Sequence, residues 1–243
     1  MPKFVELWVY LSATPLFGLT ATLVVYVLAH AFYVRMQQAP WANPVLWTVV
    51  VLAAGLLATD VSYPSYFAGA QFIHFLLGPA VVALAWPLWT RRAELRRRWG
   101  ALLLAALAGG IASGGSAVLL GWAAGLPTDV ILSLAPKSVT APVAMGIAER
   151  IGGIPALAAV FAVVTGIVGA LCGKYLFDAL RIPTNRVGWS ARGFALGTAS
   201  HGIGAARAMQ VNEDAGAYAG LALGLQVVLA SLLMPLAFRL LGL

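Results

Sequence analysis

Uncharged apolar stretches about as long as a bilayer is thick recur along this chain, and they constrain its fold more than any other feature. From Leu16 to Val34 there is no Asp, Glu, Lys or Arg, and the same holds from Trp99 to Trp122 and from Ile154 to Gly173. A helix needs about 20 mostly apolar residues to cross the hydrocarbon core. Over the whole chain of 243 residues 61% are hydrophobic and 9% charged, where a soluble domain carries roughly a quarter charged. A soluble globular fold is excluded. The chain reads as an all-α, polytopic integral membrane protein with about seven to eight hydrophobic segments. These exhaust its length, so a single membrane domain over 1–243 is expected, with N-terminal helices in 1–125 and two further units in 126–243.

Hydropathy sets spans at about Leu11–Val34, from the Pro40–Pro44 link to Ala58, from Tyr63 to Trp89 with a break at Gly78–Pro79, and at Trp99–Trp122. The net charge of +7 does not point to nucleic acid, because the basic residues sit in short runs between apolar stretches, as in cytoplasmic loops. Arg91, Arg92, Arg96, Arg97 and Arg98 form the strongest run. Held inside, they put the N-terminus outside and Arg35 inside. A secretory leader over Leu16–Ala29 is disfavoured, since Lys3 alone, offset by Glu6, precedes it. Cys172 lies alone in an apolar run, so neither a disulfide framework nor a metal set is expected.

Two segments break the pattern. Val130–Gly153 reads VILSLAPKSVTAPVAMGIAERIGG, with Lys137, Ser138 and Thr140 between Pro136 and Pro142, and each proline removes a helix donor. A single crossing here would leave Arg181, Arg186 and Arg192 outside; a dip and return as two half-helices keeps them inside. The second segment, Ala191–Met209, has a polar centre at Thr198, Ser200 and His201 among Gly197, Gly202 and Gly204. Each is followed by an apolar span, and sliding the sequence by 62 residues lays Ser138 over Ser200. If both are re-entrant, the two units have opposite topology, as in the inverted repeats of many secondary transporters. In the last span, Ala215–Leu240, Gly216, Gly220 and Gly224 share one face. Such faces pack helices closely, either within the chain or in a homodimer.

An ionisable group at membrane depth costs about 2.5–3.5 kcal/mol to insert, so one found there is a functional candidate. Lys137 is the first, flanked by the hydroxyls of Ser138 and Thr140 and by the freed backbone of a broken helix. His201 is the second, beside Ser200 and with Gly202 and Gly204 loosening its backbone. Arg207 either faces the same cavity or marks the membrane boundary. Glu149 beside Arg150 is an ion pair at a helix end or a coupling carboxylate. No Walker-type loop, HExxH, GxSxG or intramembrane acidic pair occurs, so no catalytic residues, cofactor or metal are expected and the chain does not read as an enzyme. A channel, a secondary carrier or a regulator remains.

The stretches LLGPAVVALAWPLW (Leu76–Trp89), APKSVTAPVAMGIAERIGGIPALAAVF (Ala135–Phe161) and ARGFALGTASHGIGAARAM (Ala191–Met209) resemble the LrgB/CidB family of bacterial inner-membrane proteins, whose plant relative is the plastid glycolate/glycerate translocator. The chain departs from the family pattern at Val81 and Ala205, usually Thr, and at Trp89, usually Tyr. The resemblance implies a multi-pass protein of the bacterial inner membrane and two functions. One is carriage of small monocarboxylates such as pyruvate, lactate, glycolate or glycerate. The other is regulation of murein hydrolase activity and autolysis together with a small holin-like membrane partner. A carrier needs a cationic, polar site at membrane mid-depth, and Lys137 with Ser138, Thr140, Ser200, His201 and Arg207 is the expected set.

Overall fold

A computed structural model describes residues 15–76, 79, 89 and 92–240, all helices and connections with no strand among them. Gly78 lies outside the described residues, and with it the expected break at Gly78–Pro79. The chain divides into two compact units, Met1–Ala83 and Leu84–Leu243.

In the first unit α1 (Pro15–Arg35), a 3-10 turn (Pro40–Ala42), α2 (Pro44–Ala58) and α3 (Tyr63–Phe75) follow one another. Asn43 starts α2 by accepting from Val45 N at 2.9 Å and Leu46 N at 3.2 Å, which satisfies amides that a first helical turn leaves orphaned. Gly18 lets α1 and α3 touch, because a Cβ there would overlap Tyr66 O. Beside it Thr22 Oγ1 and Tyr66 Oη stand 2.7 Å apart.

The second unit holds α4 (Arg92–Ala123), α5 (Thr128–Leu134), α6 (Ala141–Ile151), α7 (Pro155–Ala179), α8 (Arg186–Val211) and α9 (Glu213–Leu240). Among the described residues four stretches are long and apolar enough to cross a membrane: Leu16–Arg35, Arg96–Ala123, Pro155–Ala179 and Glu213–Leu240. Their outward faces carry large apolar side chains, with Val160, Val164 and Val168 in one stripe on α7 and Leu104 and Ile111 on α4, all exposed. Such faces suit lipid rather than water.

Both interrupted segments turn back on themselves. Ser133 Oγ, near the end of α5, accepts from Ile154 N at 2.7 Å. Had α5 and α6 run on in one direction, α6 alone would have carried the chain about 16 Å away. Pro142 belongs to the first turn of α6, where it starts the helix instead of breaking it. Fully buried Pro136 closes the turn between the half-helices, and Val139 N bonds to its carbonyl at 3.1 Å. In α8 the backbone leaves helical geometry at Ser200 (φ −127°, ψ 18°) and His201 (φ 40°, ψ −133°). A Cβ on Gly204 would stand 2.7 Å from Leu196 O, whereas eight residues of unbroken helix span about 12 Å. The two halves of α8 are therefore folded together, and Leu196, Ala205 and Ala208 share one apolar cluster with Ala215 and Ala219 of α9.

The two dips enter from opposite ends of α7. Gly153 and Ile154 sit against α5 at the start of α7, while Arg192 of α8 pairs with Asp178 at its far end, Nη1 to Oδ1 2.8 Å. Its guanidinium also donates to Ile182 O. α9 then runs parallel to the first half of α8, since Gly193 meets Ala215 and Gly197 meets Ala219. Gly216 is packed on Met209 inside the chain and Gly220 is buried, which leaves only Gly224 of that glycine face open. There the face works in intramolecular packing, not as a free dimer surface. In a Cys172→Ala background, single cysteines at Leu126 and Asn185 should label from opposite sides of sealed vesicles with an impermeant maleimide; labelling from one side refutes the opposed arrangement.

Candidate functional site

α4 is the helix both tips lean on. Gly109 faces Thr198 of the second tip, with a Cβ position 2.7 Å from Thr198 Cγ2. One turn further, Ser113 Oγ lies 2.6 Å from Ser138 Oγ and accepts from Lys137 Nζ at 3.0 Å, with Lys137 Nζ 3.5 Å from Ser138 Oγ. Ser113 is about 15 Å from the Ala123 end of α4 at 1.5 Å per residue, half of a hydrocarbon core about 30 Å thick. Lys137 thus meets α4 well inside its apolar stretch and is half-buried, and Ser138 is buried. A lysine there, on a turn with irregular backbone, is tolerated because protein hydroxyls receive its protons.

At the second tip Ser200 and His201 turn to α7 instead. His201 Nε2 bonds to Ala162 O at 2.7 Å; a carbonyl only accepts, so the ring donates through Nε2 and keeps Nδ1 for anything else. Gly166 makes room for the ring, and a Cβ at Gly169 would overlap Ser200 Oγ. Both residues are buried, Ser200 2% and His201 4% exposed. The positive φ of His201 lies in the region that side chains avoid, and the ring's bond to α7 holds it there.

Of the residues expected from sequence, the structure brings Lys137 and Ser138 together at α4 and brings Thr140 to the start of α6, half-buried, with no side-chain capping bond. Ser200 and His201 sit at the opposed tip facing α7. Arg207 is buried in the second half of α8, six residues beyond the break. Glu149 is exposed near the end of α6, about 13 Å of helix from Thr140, so it stands away from the tip. Gly202 meets nothing within 4 Å, while Gly204 is required by the fold-back. Ser113 is not among the residues expected from sequence. Its signal is a hydroxyl inside the run GGIASGGS, where small residues let a broken helix approach.

Beside this site, between α4 and α9, lies a cavity of about 410 Å³ lined by Gly110, Gly114, Ala135, Leu229, Met234 and Phe238 among others. Its polar contributor, Gln226, already donates to Ala106 O. The chemistry there is apolar, and the cationic and hydroxyl groups are on the Lys137 side of the turn.

Residues 22–240 match the LrgB-like family. The sequence is 34% identical over 220 residues to the uncharacterized protein YxaC of Bacillus subtilis, covering 88% of this chain and 94% of that protein. Identity to the holin-like protein CidB of Staphylococcus aureus is 30% over 212 residues, 86% of this chain and 91% of CidB. For the antiholin-like protein LrgB of Bacillus mycoides it is 31% over 232 residues, 95% and 99%. No solved structure matches.

Proposed function

This chain belongs to the LrgB-like family, and on that premise we propose that it works in the bacterial inner membrane as a secondary carrier of small monocarboxylates, the pyruvate, lactate, glycolate and glycerate class. The observation that carries this reading is a lysine that meets α4 well inside its apolar stretch, gripped by two serine hydroxyls, where two opposed re-entrant tips approach that helix. Carriers built from inverted repeats bind their substrates at such discontinuous helices. In this reading the end bearing Arg92, Arg96, Arg97, Arg98, Arg181 and Arg186 faces the cytoplasm, as positive charge does.

The holin-like and antiholin-like names of the relatives favour a second reading, control of murein hydrolases and autolysis alongside a small holin-like membrane protein. On names alone it is the better supported, since none of them mentions a carboxylate. Uptake of radiolabelled pyruvate and glycolate by liposomes holding the purified protein separates the two. Saturable uptake above protein-free liposomes supports the carrier. Its absence, with altered autolysis on deletion of the gene, leaves the regulator.

A further inference from the structure

Ser200 and His201 are committed to α7, so the donors left for an anion come from elsewhere. Lys137 brings three N–H donors, and Ser113 and Ser138 one O–H each. Lys137 Nζ directs one proton to Ser113 at 3.0 Å and a second towards Ser138 at 3.5 Å, and one hydroxyl proton lies between the serines at 2.6 Å. One ammonium N–H and one hydroxyl O–H remain, side by side. Two adjacent donors, one of them charged, match the two oxygens of a carboxylate, which only accepts.

A second observation points to the same place. The hydroxyl of Thr198 is buried and has no hydrogen-bond partner among the described residues, and the residue is 5% exposed. Its methyl group packs on Gly109, one turn and about 6 Å from Ser113 along the same face of α4. A buried hydroxyl without a partner is destabilising, and this one stands against α4 one turn from Ser113, the residue that bonds the lysine.

We infer that α4 forms a wall of the anion site, with Ser113 a direct ligand-binding residue beside Lys137 and Ser138 and with Thr198 closing the site from the opposed tip; this rests on the small-carboxylate reading above. Gly109 has no side chain because Thr198 occupies the space, and Ser113 is polar because the anion and the lysine share it. His201 and Ser200 are positioning residues that hold the second tip to α7.

The test uses the full-length protein in detergent, its thermal unfolding followed while acetate or pyruvate is titrated, alongside uptake in liposomes. Saturable stabilisation of the wild type is expected. Ser113→Ala should weaken the apparent affinity about 10-fold, the loss of one charge-assisted hydrogen bond, and Ser113→Thr should restore most of it. Thr198→Val, which keeps the shape, should weaken it about 3- to 10-fold and decides the matter if Ser113→Ala does not fold. Wild-type affinity in Ser113→Ala and Thr198→Val overturns the inference, as does a wild type that neither carboxylate stabilises. Stabilisation lost in these variants, with no uptake by the wild type, retires the carrier while the site stands. Uptake with an unchanged KM in both variants retires the site while the carrier stands.

Discussion

Lys137→Met should weaken small-carboxylate binding roughly 10- to 150-fold, the value of a charge-assisted hydrogen bond of about 1.5–3 kcal/mol. Methionine nearly matches the length and volume of lysine, so the turn between α5 and α6 stays filled. What disappears is the ammonium that Ser113 now accepts from at 3.0 Å. Because a charge at the bilayer centre costs about 2.5–3.5 kcal/mol to insert, the variant should melt at the same temperature as the wild type or higher. Lost uptake with kept or gained stability is a signature that misfolding does not produce. Lys137→Arg keeps the charge but brings a planar fork in place of a compact point charge, so some affinity and little turnover are expected. Full uptake by Lys137→Met would remove the lysine from the mechanism.

Gly197→Ala and Gly193→Ala should each destabilise the protein by about 1–3 kcal/mol, the ordinary cost of overpacking. A Cβ at Gly197 would overlap Ala219 O, and one at Gly193 would overlap Ala215 O. The obstacle in both cases is α9 backbone, which cannot rotate away like a side chain, so the helices must separate. Gly224 provides the control on the same helix pair. It is exposed and meets nothing within 4 Å, so Gly224→Ala should be neutral or stabilise by up to about 1 kcal/mol through helix propensity. Thermal unfolding of the purified variants reads the difference, and a Gly197→Ala protein that melts like the wild type refutes the close approach of α8 and α9.

Hydropathy places the spans well because lipid imposes a length on them. Leu16–Arg35, Arg96–Ala123, Pro155–Ala179 and Glu213–Leu240 lie within a few residues of the expected bounds. The first re-entrant dip is legible from two independent facts, the side on which Arg181, Arg186 and Arg192 have to fall and the Pro136–Pro142 pair. Its boundaries differ because Pro142 is a good first-turn residue and not a breaker there. The partner of Lys137 is not legible. Ser113 is 24 positions away in sequence, and a serine among glycines reads as packing. His201 misleads for a related reason: its neighbouring glycines suggest a loose, exposed backbone, yet the ring reaches across 39 positions to a carbonyl of α7. Periodicity reports which face of a helix is apolar and carries no information on which helix comes to meet it.

The two tips answer to different masters. The second is riveted to α7 through a backbone carbonyl, Ala162 O, and through close contacts at Gly166 and Gly169 that no solute can replace. The first is fastened to α4 by an ammonium and two hydroxyls, a seam made of side chains with no backbone bond in it among the described residues. A symmetric-looking pair of hairpins thus has one seam locked by backbone and another that rests on side-chain polar atoms alone.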